Sequence, residues 1–271
     1  MSGQAIAIIQ ARMSSSRLPG KVMMPLAGRP MIWHIVERAR ACRLVEKVVV
    51  ATSTERSDDP LAACCQQEGI DCFRGSLDNV LSRFIKILDD YPYEYYVRIT
   101  GDCPLIDPEN IDRQIHAVTV HDADAVWMSK EAKILAGQGV HSSRALRLVN
   151  DLSIHPDDLE HVGSRYFSEH SEQFKLIGLD PPKELTEPQW RFTVDHPEDF
   201  RVMAALYKDL WRGAVISLRE AIYWMEVNSG IAAKNQDAKE SMVNLELQKI
   251  RSVQKPRLLL HCDWTDPGRT L

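Results

Sequence analysis

Three cations crowd one loop early in the chain: Arg12, Arg17 and Lys21, in the stretch IAIIQARMSSSRLPGK (Ile6 to Lys21). Ser14, Ser15 and Ser16 lie between them, and Pro19-Gly20 sets the path into Lys21. Guanidinium forks, an ammonium, hydroxyls and free backbone N–H groups in one loop suit a polyanion, above all a nucleoside triphosphate. The loop is not a Walker loop, which needs glycine where Ser15 stands and Ser or Thr where Val22 stands. No GxGxxG is present either, so phosphates would be held by side-chain charge more than by a glycine nest. Two acids, Asp102 in RITGDCP and Asp195 in FTVDHP, each follow an apolar run. A carboxylate beside a triphosphate repels it unless a cation lies between them. The pair therefore reads as a Mg²⁺ site, since that ion takes one or two carboxylates and completes its shell with water and phosphate oxygens.

These residues need a scaffold that brings loops together, and the hydrophobic pattern supplies one. Ile6-Ala7-Ile8-Ile9 is too short for a buried helix and reads as an inner strand of a parallel sheet. A helix begun by Pro30 carries Met31, Ile32, Ile35, Val36 and Ala39 at helical spacing, with His34 packed among them. Lys47–Thr52 is the next strand, which completes a right-handed βαβ unit. Asp58-Asp59-Pro60 starts a helix that stops near Gly69. A short strand then leads through Phe73-Arg74-Gly75-Ser76 into a helix capped by Ser76 or Asp78 and burying Val80, Leu81, Phe84, Ile85 and Leu88. Arg74, Gly75 and Ser76 would lie at the edge of the ligand crevice. Tyr95–Thr100 is a central strand and Asp107 caps the helix that follows it. Open α/β sheets bind ligands beyond the carboxyl ends of such strands, which places the cationic loop and Asp102 together.

Further strands are expected at Ala123–Met128 and Gln189–Val194, and helices at Ser142–Val149, Asp157–Phe167, Pro197–Leu210 and Ser217–Asn228. The stretch from Ser129 to Pro188 reads as an arm that covers the site or forms a dimer contact. Its Lys130, Lys133, Arg144, Arg147 and Arg165 would help bind an anionic acceptor. Residues 1–235 read as one α/β domain, and 236–271 as a linker and tail containing a strand-like Arg257–His261.

Composition narrows the classes. A chain of 271 residues with 44% apolar content can bury a full core, and a net charge of −5 argues against general nucleic-acid binding. Six cysteines without a CxxC pair and without a leader segment read as reduced thiols in a cytoplasmic protein. No apolar run approaches the roughly 20 residues of a membrane span.

The motifs IIQARMSSSRLPGKV, FRGSLDNVLSRF, VRITGDCPLIDP, LEHV and FTVDHPEDF, in this order, closely resemble the spore-coat-polysaccharide cytidylyltransferase-like family. That family is a branch of the CMP-sugar synthetases, which include the acylneuraminate and 3-deoxy-manno-octulosonate cytidylyltransferases. The likeness covers about residues 4 to 235. It implies a nucleotide-diphospho-sugar transferase fold, a mixed α/β sheet of Rossmann-like architecture, with CTP as cosubstrate and Mg²⁺ as cofactor. It also implies an enzyme that transfers CMP to an anionic sugar acid or related acceptor in polysaccharide precursor synthesis, and a homodimer is expected. Carried over by motif, Arg12, Lys21, Asp102 and Asp195 would be catalytic, and Asp102 and Asp195 would hold metal. Nucleotide contacts would come from Gln10, Ala11, Arg12, Ser15, Arg17, Lys21, Arg74, Gly75, Ser76, Thr100, Gly101 and Asp102. Ser14 stands where the family has glycine, His196 where threonine is commoner, and no acid follows Gly139. Two rival readings are a nucleotide-sugar glycosyltransferase and a non-catalytic nucleotide-binding protein. The chain's DxD, Asp122-Ala123-Asp124, precedes a strand instead of following one.

Overall fold

The computed structural model describes residues 5–128, 132–186, 190–233 and 259–270. In chain order the first half comprises β1 (Ala5–Gln10), the small hairpin β2 (Pro25–Leu26) and β3 (Arg29–Pro30), α1 (Met31–Arg40), β4 (Val45–Ser53), α2 (Asp59–Gln67), β5 (Asp71–Gly75), α3 (Val80–Asp90), β6 (Tyr95–Thr100) and α4 (Pro108–His121). There follow β7 (Ala125–Met128), β8 (Gln138–Ser142), α5 (Ser143–Leu152), α6 (Pro156–His161), α7 (Ser164–Glu169), β9 (Leu176–Leu179), α8 (Lys183–Thr186), α9 (Pro197–Leu210), α10 (Leu218–Val227), α11 (Ser229–Ala232) and β10 (Leu259–Cys262).

The main sheet has eight strands in the order β10-β9-β7-β8-β6-β1-β4-β5. β8 runs antiparallel to β6 and β7, and the other pairings are parallel. This is the mixed Rossmann-like sheet that the strand pattern implies. β1 is buried on both faces, which explains its unbroken apolar run. Ala5, Ala7 and Ile9 face the core formed with α1, α4, α9 and α10, while Ile6 and Ile8 face the core formed with α3 and α5. Two-faced burial makes the centre of the sheet rigid and fixes the strand ends that carry the site.

Several local expectations change. Residues 190–194 alternate buried and half-buried as a strand would, but form none; Val194 N–H donating to Asp102 O at 2.8 Å stands in place of a ladder. The expected helix over 157–167 is two helices, because Val162 (φ 55°) and Gly163 (φ 73°) adopt left-handed conformations between α6 and α7. The cap of α3 is Asn79, whose side chain accepts from Ser82 N–H, and not Ser76 or Asp78. The stretch expected as an arm adds β8 and β9 to the sheet, and α5 and α6 pack on α3. The tail returns as β10 on the edge beside β9, so its end is part of the sheet. Lys130, Gln189 and residues 236–258 of the expected linker and tail lie outside the described residues. Among the described residues no helix is long and apolar enough to cross a membrane.

Candidate active site

The loop after β1 is closed by Gly20 N–H donating to Met13 O at 2.8 Å, with Gly20 in the left-handed region (φ 73°) that the turn needs. Lys21 follows and points inward, only 7% exposed. A buried ammonium is costly unless paired, and here its Nζ donates to Asp102 Oδ2 at 3.1 Å, Asp195 Oδ1 at 3.0 Å and Val194 O at 2.8 Å. Arg17 Nη2 donates to the same Asp195 Oδ1 at 2.7 Å. Two acids read from separate segments thus meet on one ammonium.

Close backbone approach makes this possible. Gly101 N–H donates to Gln10 O at 2.8 Å, and a Cβ on Gly101 would lie 2.9 Å from Ala11 Cβ and 3.0 Å from Gln10 O. A side chain there would push the two loops apart. Burial raises the Asp102 carboxyl, but the Lys21 charge and hydrogen bonds from Thr100, Lys21 and Cys103 outweigh it and hold it below the usual carboxylate range. Asp102 is therefore an anion at neutral pH.

The two carboxylates offer hard oxygen donors side by side. Among the described residues no group of three or more His, Cys, Asp or Glu gathers to hold a metal. Two carboxylate donors alone suffice only for a hard cation that takes most of its shell from phosphate and water.

The remaining candidates divide. Arg12 reaches Glu160 on α6, Nη2 to Oε1 at 2.9 Å. Gln10 Oε1 accepts from Arg98 Nε at 2.9 Å, and Arg98 Nη1 donates to Ser164 Oγ at 2.8 Å, which ties the end of β1 to α7. His161 lies beside these groups; burial first, and then the charge on Arg98, lower its pKa and keep it neutral. Ala11 is buried, its N–H donating to Ala51 O at 3.2 Å, and Ser15 Oγ accepts from Leu18 N–H at 3.4 Å within the loop. Thr100 Oγ1 donates to Cys103 Sγ at 3.4 Å. Arg74 is not brought to the cluster. Its guanidinium donates to Ser53 O at 2.9 Å, Glu55 O at 3.0 Å and Asp59 Oδ1 at 2.7 Å, holding the loop after β4. Ser76 Oγ accepts from Asn79 N–H at 3.1 Å, and Gly75 O accepts from Thr54 N–H at 2.9 Å.

Four residues that sequence reasoning passed over shape this site. Asp58 is fully buried and accepts from Met13 N–H at 2.7 Å, Thr52 Oγ1 at 3.0 Å, Ser53 N–H at 3.1 Å and the Ser53 hydroxyl, pinning the cationic loop after β1 to the end of β4. Burial raises its carboxyl, but these bonds together lower it below the ordinary range. Arg83 is 1% exposed and donates to Ser76 O, Leu77 O and Ala51 O, supporting the loop after β5 from beneath. Its signal was a cation on the apolar stripe of α3. Arg191 Nη2 donates to Asp195 Oδ2 at 2.6 Å, and Asp199 accepts the backbone N–H groups of Asp195 and His196 at 2.9 and 2.8 Å. No sequence signal separates these two from an ordinary exposed Arg and a helix-start acid.

Of the cations expected to help bind an anionic acceptor, three pair with protein acids. Arg144 pairs with Asp122 and Asp124, Arg147 with Asp89, and Arg165 with Asp157 and Glu169. The Asp122-Ala123-Asp124 motif sits at the amino end of β7, where Asp124 accepts from Ser142, Arg144 and Lys175 N–H. Its role is structural.

The family model for cytidylyltransferases matches residues 6–224. The spore coat polysaccharide biosynthesis protein SpsF of Bacillus subtilis is 32% identical over 233 residues, covering 84% of this chain and 97% of that protein. The mitochondrial 3-deoxy-manno-octulosonate cytidylyltransferase of Arabidopsis thaliana is 33% identical over 152 residues, 55% of this chain and 51% of its own length. A solved cytidylyltransferase from Leptospira borgpetersenii superimposes with a TM-score of 0.78 at 25% identity, over 88% of this chain and 99% of that one.

Proposed function

The chain belongs to the cytidylyltransferase family, and from that premise we propose that it moves CMP from CTP to a sugar acid or related small acceptor, releasing pyrophosphate. The observation that carries this reading is the convergence of Lys21 and Arg17 on Asp102 and Asp195 beyond the central strands. An acceptor oxygen would form the new bond to the α-phosphorus while the bond to the bridging oxygen breaks, and pyrophosphate leaves with that electron pair. Lys21, Arg17 and Arg12 would turn from their protein acids to the triphosphate and stabilise the charge growing on the leaving group. Asp102 and Asp195 would hold Mg²⁺, which when bound neutralises phosphate oxygens and orients them. Positioning supplies the rest, since phosphoryl-type transfer asks for no covalent nucleophile on the protein.

The acceptor class rests on the Arabidopsis relative, whose name specifies a sugar acid. Glu160, paired with Arg12, would be released toward the acceptor once Arg12 turns to phosphate. A homodimer is part of the proposal, supported by exposed Leu148, Leu152 and Ile154 at the end of α5. A cytoplasmic setting is supported by six free cysteines.

The test incubates the protein with each nucleoside triphosphate, Mg²⁺ and a panel of sugar acids, neutral sugars and phosphonates, reading pyrophosphate and CMP conjugates. Turnover with CTP and a sugar acid is expected. Turnover confined to ATP, or to neutral acceptors, overturns the assignment.

A further inference from the structure

Asp195 is 4% exposed, yet its two oxygens have different neighbours. Oδ1 accepts from Lys21 Nζ at 3.0 Å and Arg17 Nη2 at 2.7 Å, both on the phosphate loop. Oδ2 accepts from Arg191 Nη2 at 2.6 Å, and Arg191 belongs to the same extended segment as Asp195. Arg191 Nη2 also lies 3.4 Å from Asp199 Oδ2, the oxygen that accepts the backbone N–H groups of Asp195 and His196 at the start of α9. Arg191 is thus tied to a helix end that does not depend on the phosphate loop.

We propose that Arg191 is a positioning residue for the divalent cation. It clamps Oδ2 of Asp195 so that Oδ1 is presented to the metal when Lys21 and Arg17 turn to the triphosphate. The inference rests on the nucleotidyl-transfer reading above, and it extends that reading to a residue outside the phosphate loop and the metal acids. The physical need is specific. Without Arg191, Asp195 is free to rotate and offer both oxygens to Arg17, whose fork favours bidentate pairing with a carboxylate. The metal would then compete with an ion pair instead of meeting an oriented ligand. Asp199 does not replace the clamp, because it bonds the backbone of Asp195 and carries the same charge as its carboxylate. Arg191 is not needed to cap α9, since the Asp199 bonds to backbone N–H groups make that cap without it. Both contacts are made by the one nitrogen Nη2, and lysine at this position would keep the charge but carry it as a compact ammonium on a flexible stem instead of on a rigid planar group.

The test uses Mn²⁺ as the probe ion, titrated into the full-length protein with CTP present, with free Mn²⁺ followed by its electron paramagnetic resonance signal. Arg191→Ala is expected to weaken Mn²⁺ binding by about tenfold to a hundredfold, the range for groups that orient metal ligands. Arg191→Lys should fall between the variant and wild type. The apparent KM for Mg²⁺ should rise in step, with kcat recovered at saturating metal, and the melting temperature without metal should stay near that of wild type. A folded Arg191→Ala with wild-type Mn²⁺ affinity overturns the role, as does a loss of kcat that saturating metal does not restore. If Arg191→Ala does not fold, Arg191→Lys decides: wild-type affinity in it overturns the proposal and a weakened affinity supports it. Wild type and Asp195→Asn serve as controls on the underlying reading. If wild type with CTP takes up no Mn²⁺, or Asp195→Asn binds it unchanged, the metal-site reading fails and the Arg191 role falls with it. If both controls behave as expected and only the Arg191 variants are unaffected, the positioning role alone falls.

Discussion

The two ends of the sheet carry the same residue types and use them differently. At the carboxyl end of β1 and β6, Arg12, Arg17 and Lys21 meet acids 148, 178, 81 and 174 residues away. At the opposite end, Arg144 and Arg147 meet Asp122, Asp124 and Asp89, 22, 20 and 58 residues away. Burial differs as well, except at Arg12 and Glu160, whose side chains are 39% and 46% exposed. The side chains of Lys21 and Asp195 are 9% and 6% exposed, against 44% and 48% for Arg147 and Asp89. Exposed pairs of the second kind contribute at most about 1 kcal/mol and leave no charge uncompensated when broken. Buried charges of the first kind are costly to separate, because breaking one pair leaves an uncompensated buried charge. The lesson is that a cation's partner and burial, more than its identity, mark where chemistry can occur.

The strongest way to break this contrast is Lys21→Ala. It removes the shared ammonium and leaves Asp102 and Asp195 facing each other, so turnover should fall by about a hundredfold to a thousandfold, as when one preorganised charge contact is lost. Pyrophosphate release measures it, and a variant that keeps near-normal activity would place Lys21 outside the site.

Asp58→Ala should come next, costing about 2–3 kcal/mol in denaturant unfolding, because several backbone and hydroxyl donors lose a charged acceptor. The phosphate loop should loosen with it and KM for CTP should rise. The sign with pH is set by the lowered carboxyl of Asp58. Its contribution is present above the unfolded value of about 3.9 and is lost as pH falls through the lower folded value. An acid titration of Asp58→Asn should therefore lose less stability in that window than wild type; equal losses would remove Asp58 from the acid response.

Gly137 tests how the two ends are joined. It has φ 79°, its carbonyl accepts from Thr100 N–H, and a Cβ there would lie 2.2 Å from Cys103 Sγ. Gly137→Ala should cost about 1–2 kcal/mol from strain and the displaced thiol, and should lower kcat by moving the loop that carries Asp102. Unchanged kcat in a destabilised protein would show that the loop absorbs the shift.

The smallest effect is expected at the far end. Arg144→Ala should change stability by no more than about 1 kcal/mol and leave kcat/KM unchanged, since Arg144 and Asp122 are exposed and Asp124, 13% exposed, keeps its bonds from Ser142 Oγ and Lys175 N–H. A rise in acceptor KM would restore the reading of Arg144 as an acceptor contact.

Legibility followed the same division. β1, β4 and β6 could be read because strands buried on both faces are continuous apolar runs. β8 (QGVHS) could not, since its half-polar residues have no alternation and its partner β6 lies some forty positions earlier. Residues 190–194 have the alternation of a strand and none of its ladder, so period alone overstated them. Asp102 and Asp195 were legible because each acid follows an apolar run beside a proline-started turn or helix. Asp58, Arg83 and Arg191 were not, because a buried charge and a surface charge look alike until their neighbours are known.

By itself the sequence determined the parallel core of the sheet, the cationic loop, the two acids and the family. All of these are written in local runs, where side-chain period and turn chemistry act over a few residues. Only the tertiary structure decided that Lys21 binds both acids, that Arg74 braces the loop after β4, and that Arg191 holds the second oxygen of Asp195. Those pairings depend on which distant segments pack together, and the burial created by that packing makes each charge need the partner it has.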